Sequence, residues 1–109
     1  MKTHTESVFV KTGVRYELID IDDILYIEGM KDYLMIHCKS KRIMILATFK
    51  EIEPRLDASK FIRIHKSYIV SLEHLDRLEY NQVYIGDKKM PVGQSFRKFL
   101  LKEIEVRGF

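Results

Sequence analysis

With 109 residues, of which 46% are hydrophobic, the chain can bury the core of one compact domain and is too short for two. It has no run near the ~18 apolar residues of a membrane span and no signal-like start, so we expect a cytoplasmic protein with no membrane partner. The net charge is only +3, but residues 31–66 hold nine Lys or Arg against four acids. This asymmetry suits a basic face toward a polyanion, although an ordinary solvated surface explains it equally well.

The first half of the chain predicts a series of short strands. We interpret residues 1–6, which are polar and aperiodic, as a disordered tail or linker end, and residues 7–109 as the domain. Strands are predicted over residues 8–11 and 14–19, joined by a tight turn at Thr12-Gly13, where glycine can supply a positive φ. A polar turn at residues 20–23 precedes strands over residues 24–28, 33–38 and 42–46.

A helix start is marked by Thr48 and Glu51, which stand three residues apart as in a capping box. The helix is predicted over residues 49–56, with its apolar residues on one face. Pro54 lies past the first turn and should shorten or distort this helix.

The second half predicts further strands and a last helix. The strands cover residues 61–64, 68–72, 75–80, 83–85 and 88–92, with a second tight turn at Gly86-Asp87. Ser95 is expected to cap the last helix, whose inward residues are predicted to be Phe96, Phe99, Leu100 and Ile104. Strand alternation and helical spacing predict the following buried residues: Tyr26, Ile27, Ile36, Phe61, Ile64, Ile69, Val92 and Phe99.

Residues that could support catalysis or bind a metal are few. The single cysteine, Cys38, excludes an internal disulfide and is expected to be a buried strand residue. The four histidines do not have metal-ligand spacings, and the aspartates of residues 20–23 lack the glycine and closing glutamate of a calcium loop. No phosphate-binding glycine loop is present. We therefore expect neither an enzyme nor a metal or cofactor site.

Three polar turns carry basic and hydrogen-bonding side chains instead. A helix start favours phosphate, and Lys, Arg and Gln can pair with base edges. Two alternatives stay open: Lys31 as a plain turn lysine, and His65 as a residue that holds its loop by donating to a backbone carbonyl. The candidate residues are Lys31 and Tyr33 in the first turn, His65, Lys66 and Ser67 in the second, and Gln94, Ser95, Arg97 and Lys98 in the third.

Four blocks in order resemble the LytTR DNA-binding domain of bacterial transcriptional regulators, across residues 8–100. They are ILYIEG at residues 24–29, DY at 32–33, FIRIHKSYIV at 61–70 and PVG at 91–93. The resemblance implies several small antiparallel sheets in an elongated mostly β fold with short helices. It also implies that loops contact successive major grooves of DNA, at the nine candidate residues above.

Two positions depart from the commonest family pattern. Ser71 stands where Asn is usual, and Gly93-Gln94 stands where Ser-Arg is frequent. The missing arginine puts guanine recognition by the third loop in doubt, so the role of Gln94 stays open.

The function implied is sequence-specific double-stranded DNA binding in transcriptional regulation, as the output domain of a two-component response regulator. The expected partners are promoter direct repeats, a receiver domain elsewhere in the full-length protein and a second copy of the chain on DNA. The sequence contains no receiver and leaves open whether one was removed. The alternative is a β-rich protein-interaction or ligand-sensing module, favoured if the three turns lie far apart, and a small hydrolase is a remote third choice.

Overall fold

A computed structural model describes residues 6–108. The first five residues of the predicted tail, 1–6, which include His4, therefore lie outside the described residues. The carbonyl oxygen of Glu6 accepts a hydrogen bond from the backbone N–H of Ile21 at 2.9 Å. The chain forms two compact units, the first ending at Arg55 and the second beginning at Leu56.

Within residues 6–55 the first unit contains five strands and one short helix, as the alternation of apolar and polar residues predicted. Strands β1 and β2 form an antiparallel hairpin, and β4 lies antiparallel between β3 and β5. Gly13 in the first hairpin turn has φ +64°, as expected. The elements are β1 (Ser7–Thr12), β2 (Arg15–Asp20), a 3₁₀ turn (Ile21–Asp23), β3 (Ile24–Gly29), β4 (Leu34–Cys38), β5 (Arg42–Ile45) and α1 (Phe49–Ile52).

The core of the first unit rests on cross-strand isoleucines. Ile27, Ile36 and Ile43 stand opposite one another across β3, β4 and β5, and all three are buried. Directly opposed β-branched side chains stabilise a sheet by contact as well as by burial. Cys38 is also buried, as predicted, and desolvation raises the pKa of its thiol, so this side chain stays neutral near pH 7.

Helix α1 begins as predicted and ends early. The Thr48 hydroxyl accepts from the Glu51 N–H at 3.2 Å, and the Glu51 carboxylate accepts from the Thr48 N–H at 2.8 Å, which completes the capping box. The predicted extent to residue 56 is wrong, because the α-helix stops at Ile52 and a 3₁₀ turn, Glu53–Arg55, follows. Pro54 has no N–H for an α-helical hydrogen bond, which explains the change.

The described part of the second unit, residues 56–108, contains five strands and the long helix. Strands β6 and β7 pair antiparallel, and β9 lies antiparallel between β8 and β10. Gly86 in the β9–β10 turn has φ +55°, as expected. The elements are β6 (Phe61–His65), β7 (Tyr68–Ser71), β8 (Arg77–Glu79), β9 (Gln82–Ile85), β10 (Lys88–Pro91) and α2 (Gln94–Arg107).

Helix α2 packs against β6, and it differs from the prediction in two respects. Leu100 is fully buried, but Phe99, predicted to be buried, is 68% exposed. Each helical residue advances about 100°, so Phe99 lies well to the side of the arc centred on Leu100. The predicted cap, Ser95, lies in the first turn of α2, because the N-cap is Gly93 and carries no side-chain cap bond. The other seven predicted core residues are buried.

Two features are absent from residues 6–108. None of the helices there is both long and apolar enough to cross a membrane. The same residues contain no cluster of three or more His, Cys, Asp or Glu side chains that could hold a metal ion.

Candidate nucleic-acid interface

The second predicted turn connects β6 to β7 and is held by the histidine side chain. The Nδ1 atom of His65 accepts a hydrogen bond from the backbone N–H of Ser67 at 3.0 Å. A neutral imidazole that accepts at Nδ1 carries its proton on Nε2, which becomes a donor. His65 therefore holds its loop, but by accepting from a backbone N–H instead of donating to a carbonyl as considered above. Lys66, at the tip, is exposed.

Arg63, which the sequence analysis did not select, stabilises the same turn from β6. Its Nε donates to the carbonyl oxygen of His65 at 3.1 Å, and its Nη2 donates to that of Lys66 at 2.8 Å. Its guanidinium carbon lies 5.5 Å from the centre of the Phe96 ring in α2. One side chain thus contacts both the β6–β7 turn and the first turn of α2.

The third predicted loop runs directly beside the second. The backbone N–H of Gly93 donates to the carbonyl oxygen of Ile64 at 2.7 Å, as in a strand pair. A side chain at position 93 would bring its Cβ to 3.0 Å from the Phe96 ring and 3.7 Å from the His65 Cα. Glycine therefore leaves room for the Phe96 ring, whereas a Cβ would meet the β6–β7 turn only at an ordinary van der Waals distance.

The start of α2 presents polar residues to solvent. Gln94, Ser95 and Lys98 are exposed in its first turns. The first amides of an α-helix lack partners within the helix, and its N-terminus has a positive dipole end, so this position favours an anion. These side chains and the neighbouring Lys66 turn form one polar, basic surface, which we call the loop surface.

A further turn borders the loop surface, although sequence reasoning did not include it. The two-residue turn Tyr80-Asn81 joins β8 to β9, and the Asn81 carbonyl oxygen accepts from the Val92 N–H at 2.8 Å. The Nη1 of Arg97 donates to the Tyr80 carbonyl oxygen at 2.8 Å and to Asn81 Oδ1 at 2.7 Å. Arg97, predicted as a phosphate ligand, thus also anchors this turn.

The first predicted turn belongs to the first unit. Between β3 and β4, the Met30 N–H donates to the Tyr33 carbonyl oxygen at 2.8 Å, Lys31 is exposed and Tyr33 is half-buried. A Cβ at Gly29 would come within 2.9 Å of the Phe49 ring, so glycine lets α1 pack beneath this turn. The second and third predicted turns adjoin within the second unit, whereas the first lies within the first unit.

Comparison with solved structures identifies the class of fold. The chain superposes on a LytTr DNA-binding domain from Bacillus cereus with a TM-score of 0.78 and 20% identity, over 98% of this chain and 100% of the other. The predicted fold class, mostly β with small antiparallel sheets and short helices, is confirmed. The chain has the fold of a small β-rich DNA-binding domain.

The sequence comparisons identify the family. The profile of the LytTr DNA-binding domain matches residues 14–105, and the chain belongs to this family of DNA-binding domains in transcription regulation. It is 38% identical over 97 residues to the heme-containing CO-sensing transcriptional regulator RcoM 2 of Paraburkholderia xenovorans, covering 83% of this chain and 36% of that protein. It is 24% identical over 103 residues to the sensory transduction protein LytT of Bacillus subtilis, covering 89% of this chain and 43% of that protein. The chain thus spans less than half of either relative.

Proposed function

We propose that this domain binds duplex DNA sequence-specifically through the loop surface, with the turn of Lys31 and Tyr33 as a separate contact. The observation that carries the proposal is the hydrogen bond from the Gly93 N–H to the Ile64 carbonyl oxygen, at 2.7 Å. This bond places the β6–β7 turn beside the start of α2. Exposed lysines, a histidine and the exposed polar side chains of Gln94 and Ser95 therefore share one surface. Such a combination can contact phosphates and base edges together.

Different residues of the loop surface suit different parts of DNA. Lys66 is exposed at the tip of a turn whose backbone is held by His65 and Arg63. Because this backbone is fixed, the lysine side chain can extend toward a base edge in a defined direction. Lys98, in the first turns of α2, is suited to a phosphate. Ser67 and Ser95 can donate to phosphates or bases.

Gln94 suits a base different from the one that arginine prefers. A glutamine amide can form two hydrogen bonds with adenine, at its N6 and N7 atoms, whereas arginine forms two with guanine. Gln94 is exposed at the first position of α2. We infer that it either reads adenine or contributes little, and that guanine is not the preferred base at this contact.

For the whole protein, we propose a bacterial cytoplasmic transcriptional regulator in which this domain is the output module. The similarity to LytT, described as a sensory transduction protein, and the partial coverage of that relative support an additional input domain, such as a receiver. Binding to promoter direct repeats by two copies of the chain is the arrangement we propose on DNA.

The test is an affinity comparison on two duplexes: one enriched from a random-sequence pool with the wild-type domain, and one scrambled. Lys66→Ala should weaken binding to the enriched duplex by about 1–3 kcal/mol, roughly 5- to 160-fold, because one base contact is lost. Binding to the scrambled duplex should change much less. Fluorescence anisotropy at a fixed salt concentration measures both.

Lys89→Ala is the matched control, since Lys89 is an exposed lysine of the same unit on β10, outside the loop surface. It removes the same charge and should leave both affinities within about twofold, because Lys89 is not among the proposed DNA contacts. If Lys66→Ala weakens both duplexes equally, Lys66 contacts phosphate and its base-reading role is wrong. Failure of the wild-type domain to enrich any duplex would contradict the proposed function as a whole.

A further inference from the structure

Tyr80 combines an exposed aromatic side chain with a strained backbone. It is the first residue of the β8–β9 turn, it has φ +57°, and it is 85% exposed. Among residues 6–108, no other residue except glycine has a positive φ. Glycine, asparagine and aspartate are the usual residues in such turns, since a larger side chain crowds its own backbone there.

The stability of the second unit does not explain why a tyrosine occupies position 80. A side chain that is 85% exposed removes little apolar surface from water, so the ring contributes little to the stability of the fold. The left-handed conformation is itself unfavourable for a tyrosine. Strained backbone positions of this kind cluster at functional sites.

The hydrogen bonds around Tyr80 join its turn to the start of α2 and to the loop before it. Arg97, in the first turn of α2, donates to the Tyr80 carbonyl oxygen at 2.8 Å. The next residue, Asn81, accepts from the Val92 N–H, while the adjacent Gly93 N–H donates to Ile64. The loop that opens α2 therefore bonds to the β6 end of the β6–β7 turn through the Gly93 N–H and to the Tyr80-Asn81 turn through the Val92 N–H. Tyr80 thus lies at the border of the loop surface.

We infer that Tyr80 is an additional DNA contact, which binds the sugar–phosphate backbone beside the segment bound by the start of α2. The inference rests on the proposed function of the loop surface. A tyrosine hydroxyl can donate to a phosphate oxygen, and the ring can lie against the sugar. Arg97 holds the turn through the Tyr80 carbonyl oxygen and the Asn81 side chain, which fixes the backbone from which the ring extends. Because phosphate and sugar are the same at every base pair, the contact adds affinity without adding sequence preference.

Tyr80→Gly separates this role from a role in stability. Glycine adopts a positive φ readily, so the melting temperature should stay unchanged or rise by about 2–5 °C, relief of strain being partly offset by the greater freedom of the unfolded chain. Affinity for both the enriched and the scrambled duplex should nevertheless fall about three- to tenfold, the loss expected for one neutral hydrogen bond and its ring contact. Tyr80→Phe, which lacks only the hydroxyl, should lose at least twofold.

Tyr16→Ala is the control, because Tyr16 is 66% exposed on β2 and lies outside the loop surface. It should bind both duplexes as tightly as the wild type. A Tyr80→Gly domain that binds both duplexes with wild-type affinity overturns the inference, and equal affinities of Tyr80→Phe and wild type overturn the hydroxyl–phosphate contact. If the wild-type domain itself binds no duplex, the proposed function fails, which is a different outcome from wild-type binding that Tyr80→Gly leaves unchanged.

Discussion

Replacing Ile69 by alanine is expected to lower the free energy of unfolding by about 2–5 kcal/mol. Ile69 lies on β7, opposite Arg63 of β6, and is only 1% exposed. The substitution removes buried methyl and methylene groups and leaves a cavity that neighbouring side chains fill only in part. Chemical denaturation at 25 °C measures the change, which should appear as a lower midpoint with an unchanged slope.

Val106→Ala provides the control for this prediction. Val106 is 74% exposed on α2, in the same unit. Loss of its side chain exposes no cavity, and alanine has the higher helix propensity, so stability should change by less than about 0.5 kcal/mol. If Ile69→Ala unfolds at the same denaturant concentration as the wild type, the assignment of Ile69 to the core is wrong.

The sequence predicted the strands well because their side-chain period is two. In β4 and β5 buried and more exposed residues alternate strictly, so a shift of one residue would turn every buried side chain to the other face, and the pattern allows one register. In β3 the pairing shifts between Ile24 and Tyr26, so that Tyr26 and Ile27 are both buried. Helix α2 is less constrained. Phe96, Phe99 and Leu100 satisfy the spacings of three and four residues equally well, and only the position of β6 decides that Leu100 is buried and Phe99 is not.

The candidate site was predictable to the extent that it lies in continuous segments. The β6–β7 turn and the loop before α2 were both selected, but nothing in the sequence showed that the Gly93 N–H and the Ile64 carbonyl oxygen join them. Tyr80 was missed because an exposed tyrosine in a hairpin carries no motif, and its positive φ depends on tertiary structure. Arg97 was selected, yet its hydrogen bonds to residues 80 and 81 span about sixteen positions and are invisible to a local pattern.

A steep salt dependence is expected for DNA binding. Each phosphate neutralised by a cation contributes about −0.9 to the slope of log K against log salt concentration, because condensed counterions are released. The three predicted phosphate contacts, by Lys31, Arg97 and Lys98, would give a slope of about −2.7, so a tenfold rise in salt should weaken binding roughly 500-fold. Anisotropy titrations of one duplex at several salt concentrations measure the slope.

Lys98→Ala measures how much this one lysine contributes to the salt dependence of binding. Lys98 is exposed in the first turns of α2, whereas Arg97 also anchors the Tyr80 turn, so the lysine can be removed without loss of a hydrogen bond seen in the fold. The Lys98→Ala slope should be shallower by about 0.9, equally on enriched and scrambled duplexes, because phosphates carry no sequence information.

Lys50→Ala removes the same charge at an exposed position in α1, outside the predicted contacts, and should keep the wild-type slope. A Lys98→Ala slope equal to that of the wild type would mean that this lysine does not contact phosphate, and a slope near zero for the wild type would mean that DNA is not held through its backbone at all.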